Sequence, residues 1–136
     1  MSPEKIIFYV SVAVVSVSTI VLIYKKLPKR LKHDKFYDKW KSIQALCAEK
    51  QNWKKAIVEA DNLLDKALKK KKIKGKSMGE RLVAAQNTLT NNDSVWFGHK
   101  LRTKLDADPD TKMSQDDTKK ALLGIAQALK DIGALK

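Results

Sequence analysis

Residues 6–24 read IIFYVSVAVVSVSTIVLIY, 19 positions without a charge, a glycine or a proline. That run constrains the chain more than any other feature. As a helix it spans about 28 Å at roughly 1.5 Å per residue, close to the ~30 Å hydrocarbon core of a bilayer. Its wealth of Val and Ile would suit a strand, but a lone strand leaves its backbone groups unpaired in lipid. Tyr9 and Tyr24 stand near its two ends, where amphipathic rings favour the membrane interface. A cleaved signal peptide is the competing reading. Against it, the run exceeds the usual ~7–15 apolar residues and no A-x-A-like site follows. The sequence therefore predicts a retained transmembrane helix over residues 6–24, preceded by a short tail of residues 1–5.

Charge sets the orientation. Residues 25–35 form a basic linker with six Lys or Arg, among them Lys25, Lys26, Lys29, Arg30 and Lys32, against the single acid Asp34. The tail has only Lys5, offset by Glu4. The positive-inside rule then predicts a single-pass plasma-membrane protein with its N-terminus outside and residues 36–136 in the cytoplasm. The one cysteine, Cys47, excludes an internal disulfide framework and fits a reducing compartment.

With the span set aside, the 136-residue chain keeps roughly a hundred residues, enough for one small domain. A multidomain enzyme, a doubly wound sheet and a (β/α)8 barrel are excluded. Beyond Pro28 the periodicity is helical. Phe36, Trp40, Ile43 and Cys47 form a first apolar stripe. Asn52 is a candidate cap for a second helix with Ala56, Ile57, Ala60, Leu63, Leu64, Ala67 and Leu68 on one face. Ile73 to Lys76 reads as a connection, and Ser77-Met78-Gly79-Glu80 has capping-box spacing. Leu82, Val83, Ala85 and Leu89 are the expected buried side of a third helix, with Gln86 as its polar interruption. Residues 90–94 are a polar turn before a fourth helix carrying Val95, Trp96, Leu101 and Leu105. Pro109 disfavours helix at Asp108. Ser114 with Asp117 signals a last helix, with Ala121, Leu122, Ile125, Ala128, Leu129, Ile132 and Leu135 at three-four spacing. No run alternates as a strand does, so the expected fold is all-α: a membrane helix and a four- to five-helix bundle.

The net charge of +13 is uneven. Residues 25–35 carry +5, residues 36–76 carry +7 and residues 77–136 only +1. Lys69, Lys70, Lys71, Lys72, Lys74 and Lys76 dominate the middle block. Such a surface attracts anionic lipid head groups at ~1 kcal/mol per residue. It is also the electrostatic footprint of nucleic-acid binding. Only Arg30, Arg81 and Arg102 are arginines; a lysine-dominated surface favours unspecific attraction over bidentate readout. Gly75-Lys76-Ser77 lacks the first glycine of a P-loop and a preceding strand. His33 and His99 are far apart, with no ligand spacing around them. The expectation is therefore no metal, no cofactor and no complete catalytic set. Trp40 and Trp53 sit on apolar faces, where core packing is their expected role.

The remaining candidates cluster in residues 94–103. On a helix, Val95, His99 and Arg102 share one side, and an imidazole beside a guanidinium can move protons or contact phosphate. The competing reading pairs Arg102 with Asp106 at i+4 and packs His99 as a hydrogen-bonded ring. Trp96, His99 and Arg102 are the candidate binding patch. Three pieces carry a resemblance: Trp53…Ala56-Ile57…Glu59-Ala60-Asp61…Leu64-Asp65, Gly75…Met78-Gly79-Glu80-Arg81-Leu82, and Val95-Trp96…His99-Lys100-Leu101-Arg102. In this order they resemble small membrane-anchored proteins of candidate-phyla bacteria such as Saccharibacteria. The last piece also resembles the helix of HEPN-type domains, in which an Arg and a following His cleave RNA without metal. Arg102 matches that arginine and Thr103 stands where Asn is common, but residues 103–113 hold no histidine for the position near Ala107. The resemblance thus implies a HEPN-like bundle without activity. The expected function is a membrane-tethered, non-enzymatic interaction domain with a protein partner or a second copy. The alternative is a tethered HEPN-type endoribonuclease or RNA-binding protein. Ser11 and Ser18, seven apart, would lie on one side of the spanning helix.

Overall fold

The structure, a computed structural model, describes residues 31–136. The expected membrane helix, together with Lys25, Lys26, Lys29 and Arg30, lies outside the described residues. Within them there are five α-helices and no strand, and no helix is long and apolar enough to cross a membrane. The helices are α1 His33–Leu46, α2 Trp53–Lys70, α3 Met78–Ala84, α4 Asn92–Ala107 and α5 Gln115–Asp131; a 3-10 turn, Lys50–Asn52, joins α1 to α2.

Local signals explain most boundaries. α1 begins at His33, inside the stretch read as linker, because Leu31 is already buried in the core and pulls the first turn inward. Phe36, Trp40 and Ile43 are its buried stripe, and Cys47 caps it half-buried. All seven apolar positions expected on α2 are buried. Asn52 stands at its N-cap but makes no side-chain capping bond, because the 3-10 turn holds it at φ −97° and ψ 0°. The Ser77 half of the capping box forms, with Ser77 Oγ accepting from the Glu80 amide at 3.2 Å; the Glu80 carboxylate reaches one residue further back and accepts from the Lys76 amide at 2.5 Å. Yet α3 stops at Ala84: Val83, within it, faces outward and is 53% exposed rather than buried, and Gln86, beyond it, is exposed rather than on a buried stripe. Leu82, Ala85 and Leu89 are buried as expected. Asn91 caps α4 through the Ser94 amide, and Ser114 caps α5 through the Asp117 amide.

Two helices end alike. After α2, the Ile73 amide donates to Leu68 O at 3.1 Å and the Lys72 amide to Lys69 O at 3.0 Å. After α5, Ala134 donates to Leu129 O at 2.8 Å and Gly133 to Lys130 O at 3.0 Å. Both are Schellman motifs, which place one residue in the left-handed region. Gly133 takes that role at φ 83° without penalty, whereas Lys72 takes it at φ 61° with a Cβ in the way.

α2 is the central helix, packed on α1, α4 and α5. Lys70 Nζ lies 5.6 Å from the Phe36 ring centroid, so α1 starts beside the end of α2. Trp53 Nε1 donates to Cys47 O at 2.9 Å, so α1 ends beside the start of α2. Lys54 Nζ donates to Pro109 O just before α5, and Lys71 Nζ reaches Gly133 just after it. α5 therefore runs parallel to α2, and α1 and α4 run antiparallel to both. α4 and α5 form the most extensive helix pair. A methyl on Gly124 would sit 2.6 Å from the Ser94 carbonyl, so only glycine admits this crossing.

Candidate functional site

One turn of α2 places Asp61 between Ile57 and Leu64, on the buried face. Its side chain is 3% exposed, and burying a carboxylate in an apolar face requires hydrogen-bonding and charged partners, at least one of them a cation. α4 supplies them. His99 Nδ1 lies 3.1 Å from Oδ2 and 3.4 Å from Oδ1, and Arg102 Nη1 donates to Oδ2 at 3.3 Å. The guanidinium is spread further: Nη1 donates to Asn62 Oδ1 at 2.7 Å and Nε to Asp106 Oδ2 at 2.8 Å. The structure thus brings together His99 and Arg102, the pair picked from sequence, and aims both at a carboxylate of the neighbouring helix. Val95, on the same side, is buried.

Trp96 is half-buried, packs against the main core and meets the His99 ring edge-on at 5.9 Å and 73°. Its edge faces Gly79 of α3, so its ring is packed between helices rather than offered as a flat platform. Trp40 is buried and Trp53 half-buried. Among the described residues no group of His, Cys, Asp and Glu could hold a metal ion.

A second ion pair holds the next turns of α2. Arg81, itself buried, donates from Nε to Asp65 Oδ1 at 2.7 Å and from Nη1 to Gly75 O at 2.8 Å. Lys69 joins Asp65 at 3.3 Å. Burial pulls the Asp65 carboxyl upward, but the hydrogen bonds and charges of Arg81 and Lys69 outweigh it and hold the carboxyl below the usual carboxylate range. Asp131 is likewise lowered: desolvation opposes, and bonds from the Thr90 amide and hydroxyl and from Gln127 prevail. The two Thr90 bonds latch the α3–α4 turn to the end of α5.

The lysines singled out by sequence gather at one end of the bundle. Lys69 and Lys70 close α2, Lys71, Lys72, Lys74 and Lys76 follow, and the start of α1 with the end of α5 lies beside them. Lys130 and Lys136 are at this end, and so is Lys32, where the chain enters the described region. Lys69 is already paired, and Lys70 stacks on Phe36.

Sequence reasoning did not single out Asp61 and Arg81 as interior anchors. The signal was present: an acid at i+4 from Ile57 and i−3 from Leu64 interrupts an apolar face. No known protein family, curated protein or solved structure matches the chain.

Proposed function

We propose that the chain is a membrane-tethered, non-enzymatic helical interaction domain, held to an anionic inner leaflet by its basic end. One observation carries this reading: the lysine-rich end of α2 lies at the same end of the bundle as Leu31, seven residues beyond the uncharged run. A tether over residues 6–24 would bring that end to the head groups, where each lysine is worth ~1 kcal/mol. The Asp61 clasp supports the non-enzymatic part, since the His99 imidazole and the Arg102 guanidinium are both engaged by a buried structural carboxylate. The surfaces above the leaflet are left to a protein partner or a second copy.

Alkaline carbonate extraction of cells making the full chain tests the tether, and protease added from either side tests the topology. The chain stays in the membrane pellet, and residues 31–136 are digested only from the inner side. Release of the intact chain into the supernatant refutes the tether. Arg102-dependent cleavage of labelled RNA by the full chain moves the assignment to the HEPN-type endoribonuclease.

A further inference from the structure

α1 and α5 both pack on α2 but make no extensive contact with each other, and a groove of about 790 Å3 lies between them. Its sides are apolar, with Trp40 and Ile43 from α1 and Leu122 and Ala126 from α5. Among the described residues three large apolar side chains are more than half exposed: Tyr37, Val83 and Leu123. Two of them stand on this groove, Tyr37 on the α1 wall and Leu123 on the α5 wall. The two ends give a charged ligand no direction, but the two walls differ. α1 contributes one acid, Asp34, beside His33, and no lysine or arginine. α5 contributes two bases, Lys119 and Lys130, and no acid. All three charged side chains are exposed, and none is in an ion pair with another described residue. Because the helices are antiparallel, Asp34 and Lys130 stand at one end of the groove, with Gln44 and Lys119 toward the other.

We propose that this groove is a two-fold interface that binds a second copy of the chain. An acid on one wall and bases on the other make the surface self-complementary, which is the condition a symmetric dimer must meet. A two-fold axis along the groove lays α1 of each copy over α5 of its partner. Asp34 then meets Lys130 of the partner subunit, and symmetry repeats that contact once. Lys119 meets the uncharged Gln44 of the partner subunit. Tyr37 of each copy covers α5 of the other beside Leu123 of the partner subunit, so the exposed apolar side chains leave water together. An axis across the groove would instead lay α1 on α1 and α5 on α5, which sets Asp34 at the level of Cys47 of the partner subunit and gives it no cation. Two helix faces of 14 and 17 residues, together about 20 Å wide, bury on the order of 1,000 Å2 in all, so the pairing is weak and reversible. This names the second copy that the interaction-domain reading left open, but it rests on the groove and not on the tether. The axis along the helices also keeps both basic ends on one side, as a single leaflet requires.

The test uses the full chain in excess dodecylmaltoside, as two fusions carrying a donor or an acceptor fluorescent protein at the N-terminus. Carbonate extraction reads the tether and energy transfer in detergent reads the pairing, so either can fail without the other. Wild-type chains show transfer that saturates with concentration. Asp34→Lys sets base against base at both symmetry-related contacts, and Lys130→Glu sets acid against acid. Each variant paired with itself therefore dissociates about tenfold more readily. A mixture of the two variants restores opposite charges at both contacts and pairs within about twofold of wild type. Leu123→Glu abolishes transfer with the helical circular dichroism unchanged. The proposal is overturned if wild-type chains do not pair, if the single variants pair as wild type does, or if the mixture pairs no better than either variant alone. Wild-type pairing by a folded Leu123→Glu chain overturns it as well, and where that variant loses helix the charge set decides alone.

Discussion

Asp61→Asn removes one charge from the α2–α4 interface with almost no change in volume. The aspartate is 2% exposed and receives His99 at 3.1 Å and Arg102 at 3.3 Å. Charge-assisted hydrogen bonds contribute ~1.5–3 kcal/mol and neutral ones ~0.5–1.5 kcal/mol, so weakening two of them costs about 2 kcal/mol. Full rupture of a buried ion pair costs ~3–5 kcal/mol. The lower figure applies because both partners are about a fifth exposed and Arg102 keeps Asn62 and Asp106. For a domain of roughly a hundred residues, 2 kcal/mol lowers Tm by about 8–16 °C. Asp106→Asn removes the exposed partner of the same arginine, in an i,i+4 pair whose carboxylate is 58% exposed. Such pairs contribute ~0.3–0.5 kcal/mol, or about 1–4 °C here. Thermal unfolding followed by far-ultraviolet circular dichroism separates the two. Equal Tm losses for Asp61→Asn and Asp106→Asn would refute the idea that Asp61 anchors the interface.

Lys72→Gly relieves the left-handed conformation at the end of α2 and stabilises by about 1 kcal/mol, whereas Gly133→Ala in the equivalent turn costs about the same; chemical denaturation midpoints report both, and equal signs would contradict the turn assignment. Gly124→Ala forces a methyl onto the Ser94 backbone and destabilises by ~1–3 kcal/mol, while Leu123→Ala on the exposed side does so by far less. The folded-state pKa of Asp65 lies below its ordinary value of 3.8, so its contribution is complete above that pH and fades as pH falls toward the folded value. Asp65→Asn therefore flattens the loss of stability with acid, measured by urea titration from neutral pH downward; an unchanged acid slope would count against the Arg81–Asp65 pair.

Helix positions were legible because each helix carries its own cap and apolar stripe: Ser77 with Glu80, Asn91, Ser114, and the seven buried positions of α2. α3 was overextended because Ala85 and Leu89 are buried in both helix and turn, so periodicity alone could not show that the helix stops at Ala84. The start of α1 was missed because Leu31 and His33 sit in a lysine-rich run that masks one apolar anchor. At the site, the shared face of His99 and Arg102 follows from spacing within one helix. Their common acceptor does not, since Asp61 is 38 residues away from His99 and the pairing exists only once α2 and α4 cross. The groove was invisible for a similar reason: it is defined by two helices that do not cover each other.

The antiparallel placement of α1 has a mechanical consequence. A pull on the chain at Leu31 loads α1 at its first turn, with the far end held by Trp53 and Cys47. Such a load peels α1 off α2 one turn at a time, beginning at Phe36 and reaching Ile43 last, instead of shearing all contacts together. Under tension α1 yields first and the groove loses a wall, while α2, α4 and α5 stay joined through Asp61 and the Gly124 crossing. Amide exchange under load is then fastest in the first turn of α1 and slowest in the middle of α2.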